Sequence, residues 1–138
     1  MLKEAMLAMR LTDTEYEPEI CRLLKAAESD LKIAGVVIDG ECIFEITEKT
    51  DAITSAVTYT ITDNSTITDD MVITAMITYC RVHFGSPPDY DKLAASYDLQ
   101  RRQLANATGY TDFGDEQEPT PEPTPEPTPE PDGEGEEP

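Results

Sequence analysis

Proton transfer near neutral pH needs a group that titrates there, and the chain holds a single histidine, His83. Nucleophilic catalysis also needs a base and a group to orient it. Without a second histidine the remaining option is a shielded pair of carboxylates, and no carboxylate spacing here is distinctive. Cys21, Cys42 and Cys80 are an odd number of thiols with no close pair, which suits neither a disulfide framework nor a cysteine-rich zinc site and points to a reducing compartment. Asp63, Ser65, Asp69 and Asp70 carry the hard oxygens that calcium takes. They lack the spacing of an EF-hand loop and its closing glutamate, and turn and helix-cap roles account for them. No glycine-rich phosphate loop with its lysine is present. The expectation is no catalytic residue, no metal ligand and no cofactor, hence not an enzyme.

The elements around these residues follow from hydrophobic period. Leu2 to Leu11 is rich in helix formers, with Leu2, Ala5, Met6 and Met9 on one face of a first helix. A second helix runs to about Ala34, because Ile20, Leu23, Leu24, Ala27, Leu31 and Ala34 keep i, i+3, i+4, i+7 spacing and Gly35 is a natural residue to follow the cap. Its start has two registers, a capping box at Thr14 and Glu17 or a first turn at Pro18. From Val36 to about Thr66 the period becomes two. Cys42, Phe44 and Ile46 alternate with Ile43, Glu45 and Thr47, as Val57, Tyr59 and Ile61 do with Thr58, Thr60 and Thr62, and Asp39-Gly40 has the character of a hairpin turn. Either Val36–Ile38 pairs with Cys42–Ile46, or the latter pairs with Val57–Ile61. Thr68 or Asp69 then caps a third, nearly all-apolar helix from Asp70 to Phe84, the central one. After Gly85 and Ser86-Pro87-Pro88-Asp89, a fourth helix runs to about Ala107 with Tyr90, Leu93, Ala94, Tyr97 and Leu104 on one side. The expected fold class is mainly α: a small four-helix domain over 1–114, a short β-strand insertion at 36–66 between helices two and three, and a disordered acidic Pro-rich tail at 115–138.

Net charge is −19, unevenly placed. Asp115 to Pro138 holds ten acidic residues and no Lys or Arg, which leaves −9 for residues 1–114. Nonspecific binding to phosphate backbones depends on clustered Lys and Arg, so a nucleic-acid reader is disfavoured, although a wall that repels phosphates lets DNA slide past. Glu118 to Pro131 reads EPTPEPTPEPTPEP, with too few apolar side chains to offset the entropy of ordering. As polyproline II these fourteen residues would span about 43 Å. The prolines all fall on odd positions, so the PxxP spacing of common polyproline ligands never occurs. The uncharged run Ala52 to Thr62 is about half of what a membrane span needs, so no membrane association and no export are expected.

Some side chains suit a contact with another protein. Tyr90, Tyr97 and Tyr110 pair an apolar body with a polar handle, useful at a core edge or in an interface. Arg101 and Arg102 are among few cations near an acidic C-terminal region, and Tyr110 with Phe113 lies in a polar segment that is exposed unless it docks. These six are the candidate interface residues.

Two stretches carry a resemblance. MVITAMITYCRVHFG from Met71, continued by SPPDYDKLAASYDLQRRQLANATGYTDF to Phe113, is similar to the C-terminal half of the head-tail connector proteins of tailed bacteriophages, also described as neck adaptor or DNA-packaging proteins. RLTDTEYEPEICRLLKAAESDLKIAGV, Arg10 to Val36, resembles their N-terminal half, in the same order. The insertion at 36–66 is longer than the compact linker of that pattern, and the EPTP tail is outside it. The resemblance implies a structural virion protein: a closed ring, dodecameric to match the portal protein, that extends the DNA channel and offers a docking surface to a tail-completion or stopper protein. DNA passes through without sequence-specific binding, and the protein belongs in the virion neck after assembly in the host cytoplasm. The alternative is a monomeric acidic binding module, or an inhibitor that mimics nucleic acid, supported by net charge alone.

Overall fold

The computed structural model describes residues 1–107, 109 and 110. Helix α1 spans Leu2–Ala8, one turn shorter than the run of helix formers suggested. It stops because Arg10 adopts a left-handed backbone, φ 56°. The Arg10 N–H donates to the Leu7 carbonyl at 3.0 Å and the Leu11 N–H to the Met6 carbonyl at 2.9 Å, a Schellman closure made without glycine. A side chain in that conformation costs about 1 kcal/mol relative to glycine.

Helix α2 spans Glu17–Ile33 and is led in by a 3-10 turn at Thr14–Tyr16. Of the two starts the residues allowed, the proline register holds: Pro18 lies in the first turn, where its missing N–H is no loss. The capping oxygen is that of Asp13, which accepts from the Glu15 N–H at 3.1 Å; Thr14 caps nothing. The other end closes on Gly35, φ 92°, with Val36 N–H on the Leu31 carbonyl at 3.0 Å.

The insertion is a two-stranded antiparallel ribbon of β1 (Phe44–Thr50) and β2 (Val57–Asp63), with Phe44 opposite Asp63, Ile46 opposite Ile61 and Thr50 opposite Val57. This chooses the second of the two pairings. Among the described residues Val36–Ile38 joins no strand, and Asp39-Gly40 is a bend, not a hairpin turn. Gly40 is required for another reason: at φ 97° a Cβ there would lie 2.7 Å from the Thr66 carbonyl carbon, so only glycine lets the two segments leading into and out of the ribbon pass each other.

Helix α3 spans Asp70–His83 and is capped by Asp69, whose Oδ1 accepts from the Met71 and Val72 N–H groups at 2.9 and 3.1 Å. Helix α4 spans Tyr90–Asn106. As its apolar circumference predicts, α3 is central, with α1, α2 and α4 all packed on it. Ile20, Leu24 and Leu31 of α2 meet Val72, Met76 and Cys80 of α3 and Leu104 of α4 in the buried core. Each large aliphatic side chain so buried stabilises by roughly 1.5–3 kcal/mol. About 53 % of the described residues are helical, and with the ribbon included a mainly-α description holds only loosely. No helix among the described residues is long and apolar enough to cross a membrane. Phe113 and the 115–138 tail lie outside the described residues.

Candidate assembly surface

The interface candidates on α4 divide by helical position. Tyr90, in the first turn, is half exposed. Tyr97, two turns on, is buried: its ring packs edge-on against Tyr79 at 5.2 Å, and its hydroxyl donates to Asp30 Oδ2 at 2.6 Å. Burial, and then that bond to a carboxylate, raise its pKa well above the ordinary phenol value. Arg101, one turn later, brings Nε to 3.1 Å from the same Asp30 oxygen, an ionic contact without hydrogen-bond alignment. Arg102 points to solvent and pairs with Asp98 on its own helix at 3.4 Å. Tyr97 and Arg101 thus have their polar ends on α2, while Tyr90 and Arg102 present theirs outward.

Tyr110 docks on its own chain. Its hydroxyl donates to Asp69 Oδ2 at 2.6 Å and its carbonyl accepts from the Val37 N–H at 2.6 Å. Asp69 therefore uses one oxygen to cap α3 and the other to hold Tyr110, and these bonds, that from Tyr110 foremost, keep its carboxyl below the usual range. The segment after α4 is in this way pinned beside the N-terminus of α3.

Among the described residues, the ribbon and the α3–α4 groove both expose apolar side chains. Register places Phe44, Ile46, Val57, Tyr59 and Ile61 on one face of the ribbon, together with Glu48, Thr50 and Asp63, while Glu45, Thr47, Lys49, Thr58, Thr60 and Thr62 make the other face wholly polar. Phe44 is buried at the base and Ile61 half-buried, but Ile46, Val57 and Ile53 at the tip stay exposed, the last at 94 %. On the body, a groove between α3 and α4 lined by Met71, Thr74, Gln100, Gln103 and Leu104 leaves Met71 more than half exposed.

The residues first weighed for chemistry have structural positions. His83 is exposed, its ring 4.1 Å from that of Tyr79. Cys21, Cys42 and Cys80 are buried free thiols, each pushed up to about 12, chiefly by burial, and so held in the unreactive protonated form. Asp63 and Asp69 act as turn and cap residues: Asp63 accepts from the Ser65 N–H at 3.1 Å and, across the fold, from the Leu2 N–H at 2.8 Å. Glu28 had drawn no attention in the sequence. It is a buried carboxylate that accepts from Lys32 Nζ at 2.6 Å and from the Cys42 N–H at 3.0 Å, tying α2 to the start of the ribbon. The i, i+4 spacing of Glu28 and Lys32 signalled half of that clasp; nothing local signalled Cys42. Asp30 was likewise missed, since its partners lie on α4.

Comparison with protein-family models, with curated proteins and with solved structures gave no match to this chain.

Proposed function

We propose that this chain is a head-tail connector subunit of a tailed bacteriophage, which closes into a ring beneath the portal, extends the DNA channel and receives the tail. The resemblance of Arg10–Val36 and Met71–Phe113 to that family suggests it. The observation that carries it physically is a pair of unlike surfaces with exposed apolar side chains: the ribbon with Ile46, Val57 and, in its connecting loop, Ile53, and the α3–α4 groove at Met71. A ring needs head-to-tail contacts in which one face of each copy fits a different face of the next, and a subunit with two dissimilar apolar surfaces meets that need. The acidic body, −9 over residues 1–114, suits a channel wall that DNA must not adhere to.

The test is the mass of the purified protein, alone and mixed with portal rings, by light scattering with negative-stain imaging. A closed ring in either sample supports the reading. A monomer that ignores portals overturns it and leaves the acidic binding module. Ile46→Thr with Val57→Thr, both at exposed positions of good β propensity, keeps the fold and abolishes the ring if the ribbon face is a subunit contact.

A further inference from the structure

A second groove, of about 360 Å³, lies where the end of α1 meets the turn between α3 and α4. Met9, Phe84, Pro87, Pro88 and Leu93 line it, with Arg10 and Arg81. Neither arginine has a carboxylate within ion-pair distance among the described residues, a state they share with Lys3, Arg22, Lys25, Lys49 and Lys92, but only these two stand together in one groove. Asp89 is the one carboxylate in the lining, so the groove is net positive on a molecule that is otherwise acidic. Arg10 also holds the left-handed position that closes α1, where glycine would be less strained. A cation kept at a strained site, beside a second unpaired cation and a proline-lined apolar wall, marks a place built to receive something.

We propose that the groove receives the chain's own acidic repeat, residues 118–131. Its composition is complementary: a carboxylate at every fourth residue for the guanidiniums, and prolines between them for the Phe84, Pro87 and Pro88 wall. The reach is sufficient. Tyr110 is anchored at Asp69, one end of α3, and Arg81 stands near the other end, about 18 Å along the axis at 1.5 Å per residue. The eight residues 111–118 span up to about 26 Å when extended. Tethering at that length gives an effective concentration in the millimolar range, enough to fill a weak site on the same molecule. The proposal is independent of the connector reading and concerns only this surface.

The test is paramagnetic broadening in the full-length chain carrying Thr124→Cys with a nitroxide label, which the three buried native thiols leave selective. At low salt, signals of Met9, Arg81 and Leu93 broaden much more than those of Met71 and Gln103 in the α3–α4 groove, about 15 Å further along the same two helices. Broadening is lost in about 1 M salt, where screening falls to about 3 Å, and in Arg10→Glu with Arg81→Glu, and it persists in the Arg→Lys pair, which also shows that the fold is intact. No broadening at the arginine groove, or broadening that ignores charge reversal, overturns the proposal. So does broadening that appears only between molecules, in a mixture of isotope-labelled unspun and spin-labelled unenriched protein.

Discussion

The Tyr97 hydroxyl donates to Asp30 Oδ2 at 2.6 Å, joining the middle of α4 to the last turns of α2 across 67 residues of sequence. Asp30 is about one-third exposed and keeps Arg101 beside it, so losing the hydroxyl leaves it hydrated and neutralised. Tyr97→Phe is expected to cost about 1 kcal/mol, with the ring and its contact to Tyr79 kept. Asp30→Ala leaves a buried hydroxyl without an acceptor and is expected to cost more, about 2 kcal/mol. Urea unfolding midpoints order the two. The reverse order would show that the hydroxyl finds another acceptor when Asp30 is removed.

Acid should loosen the base of the ribbon. Burial alone would raise the pKa of Glu28, but the Lys32 ammonium and the Cys42 N–H outweigh it, and the folded value is depressed. The same holds for Asp63, where burial is outweighed by the Leu2 N–H and by Ser65. Between the folded and unfolded pKa values the unfolded chain binds more protons, so stability rises with pH there. The contribution is complete above the unfolded values, about 4.3 for Glu and 3.9 for Asp, and is lost as pH falls through the folded ones. Glu28→Gln is expected to flatten the dependence of unfolding free energy on pH below about 4.3 and to leave its slope between about pH 6 and 7 unchanged.

The two glycines that bracket the start of the insertion should respond differently to the same methyl group. Gly35 has φ 92° and nothing within 4 Å of a Cβ, so Gly35→Ala bears only the left-handed strain, about 1 kcal/mol. Gly40 has φ 97° and meets the Thr66 backbone at 2.7 Å, so Gly40→Ala must also displace backbone and is expected to cost about 3 kcal/mol or more. Thermal unfolding of both variants decides it; equal losses would mean that the crossing at Thr66 yields easily.

Thiol reactivity gives a readout of the core. In the folded protein none of the three cysteines should react with a maleimide over minutes, because each is buried and its pKa is raised to about 12. In denaturant all three should react. Rapid labelling of Cys42 alone in native buffer would mean that the segment leading into β1 opens separately from the helices.

Local order was legible in the sequence because its physics is local. The i, i+3, i+4 stripe of Ile20, Leu24 and Leu31, the Gly35 closure and the nearly all-apolar circumference of α3 depend on neighbours within a turn and stand where their residue types put them, and of the two caps the residues allowed for α3, Thr68 and Asp69, the structure uses Asp69. The alternation of Phe44–Ile46 and Val57–Ile61 announced strands but not their partner, since period two says which face is apolar and not what lies alongside. Only the tertiary structure decided that Cys42–Ile46 pairs with Val57–Ile61 and not with Val36–Ile38, that Gly40 serves a crossing with Thr66, and that an arginine closes α1. It also decided the use of Tyr97 and Tyr110. A tyrosine has the same amphipathic character at a core edge as in an interface, and the carboxylates that took these two hydroxyls, Asp30 and Asp69, lie 67 and 41 residues away. Pairings of that separation are set by how the helices pack on α3, information that no window of the sequence contains.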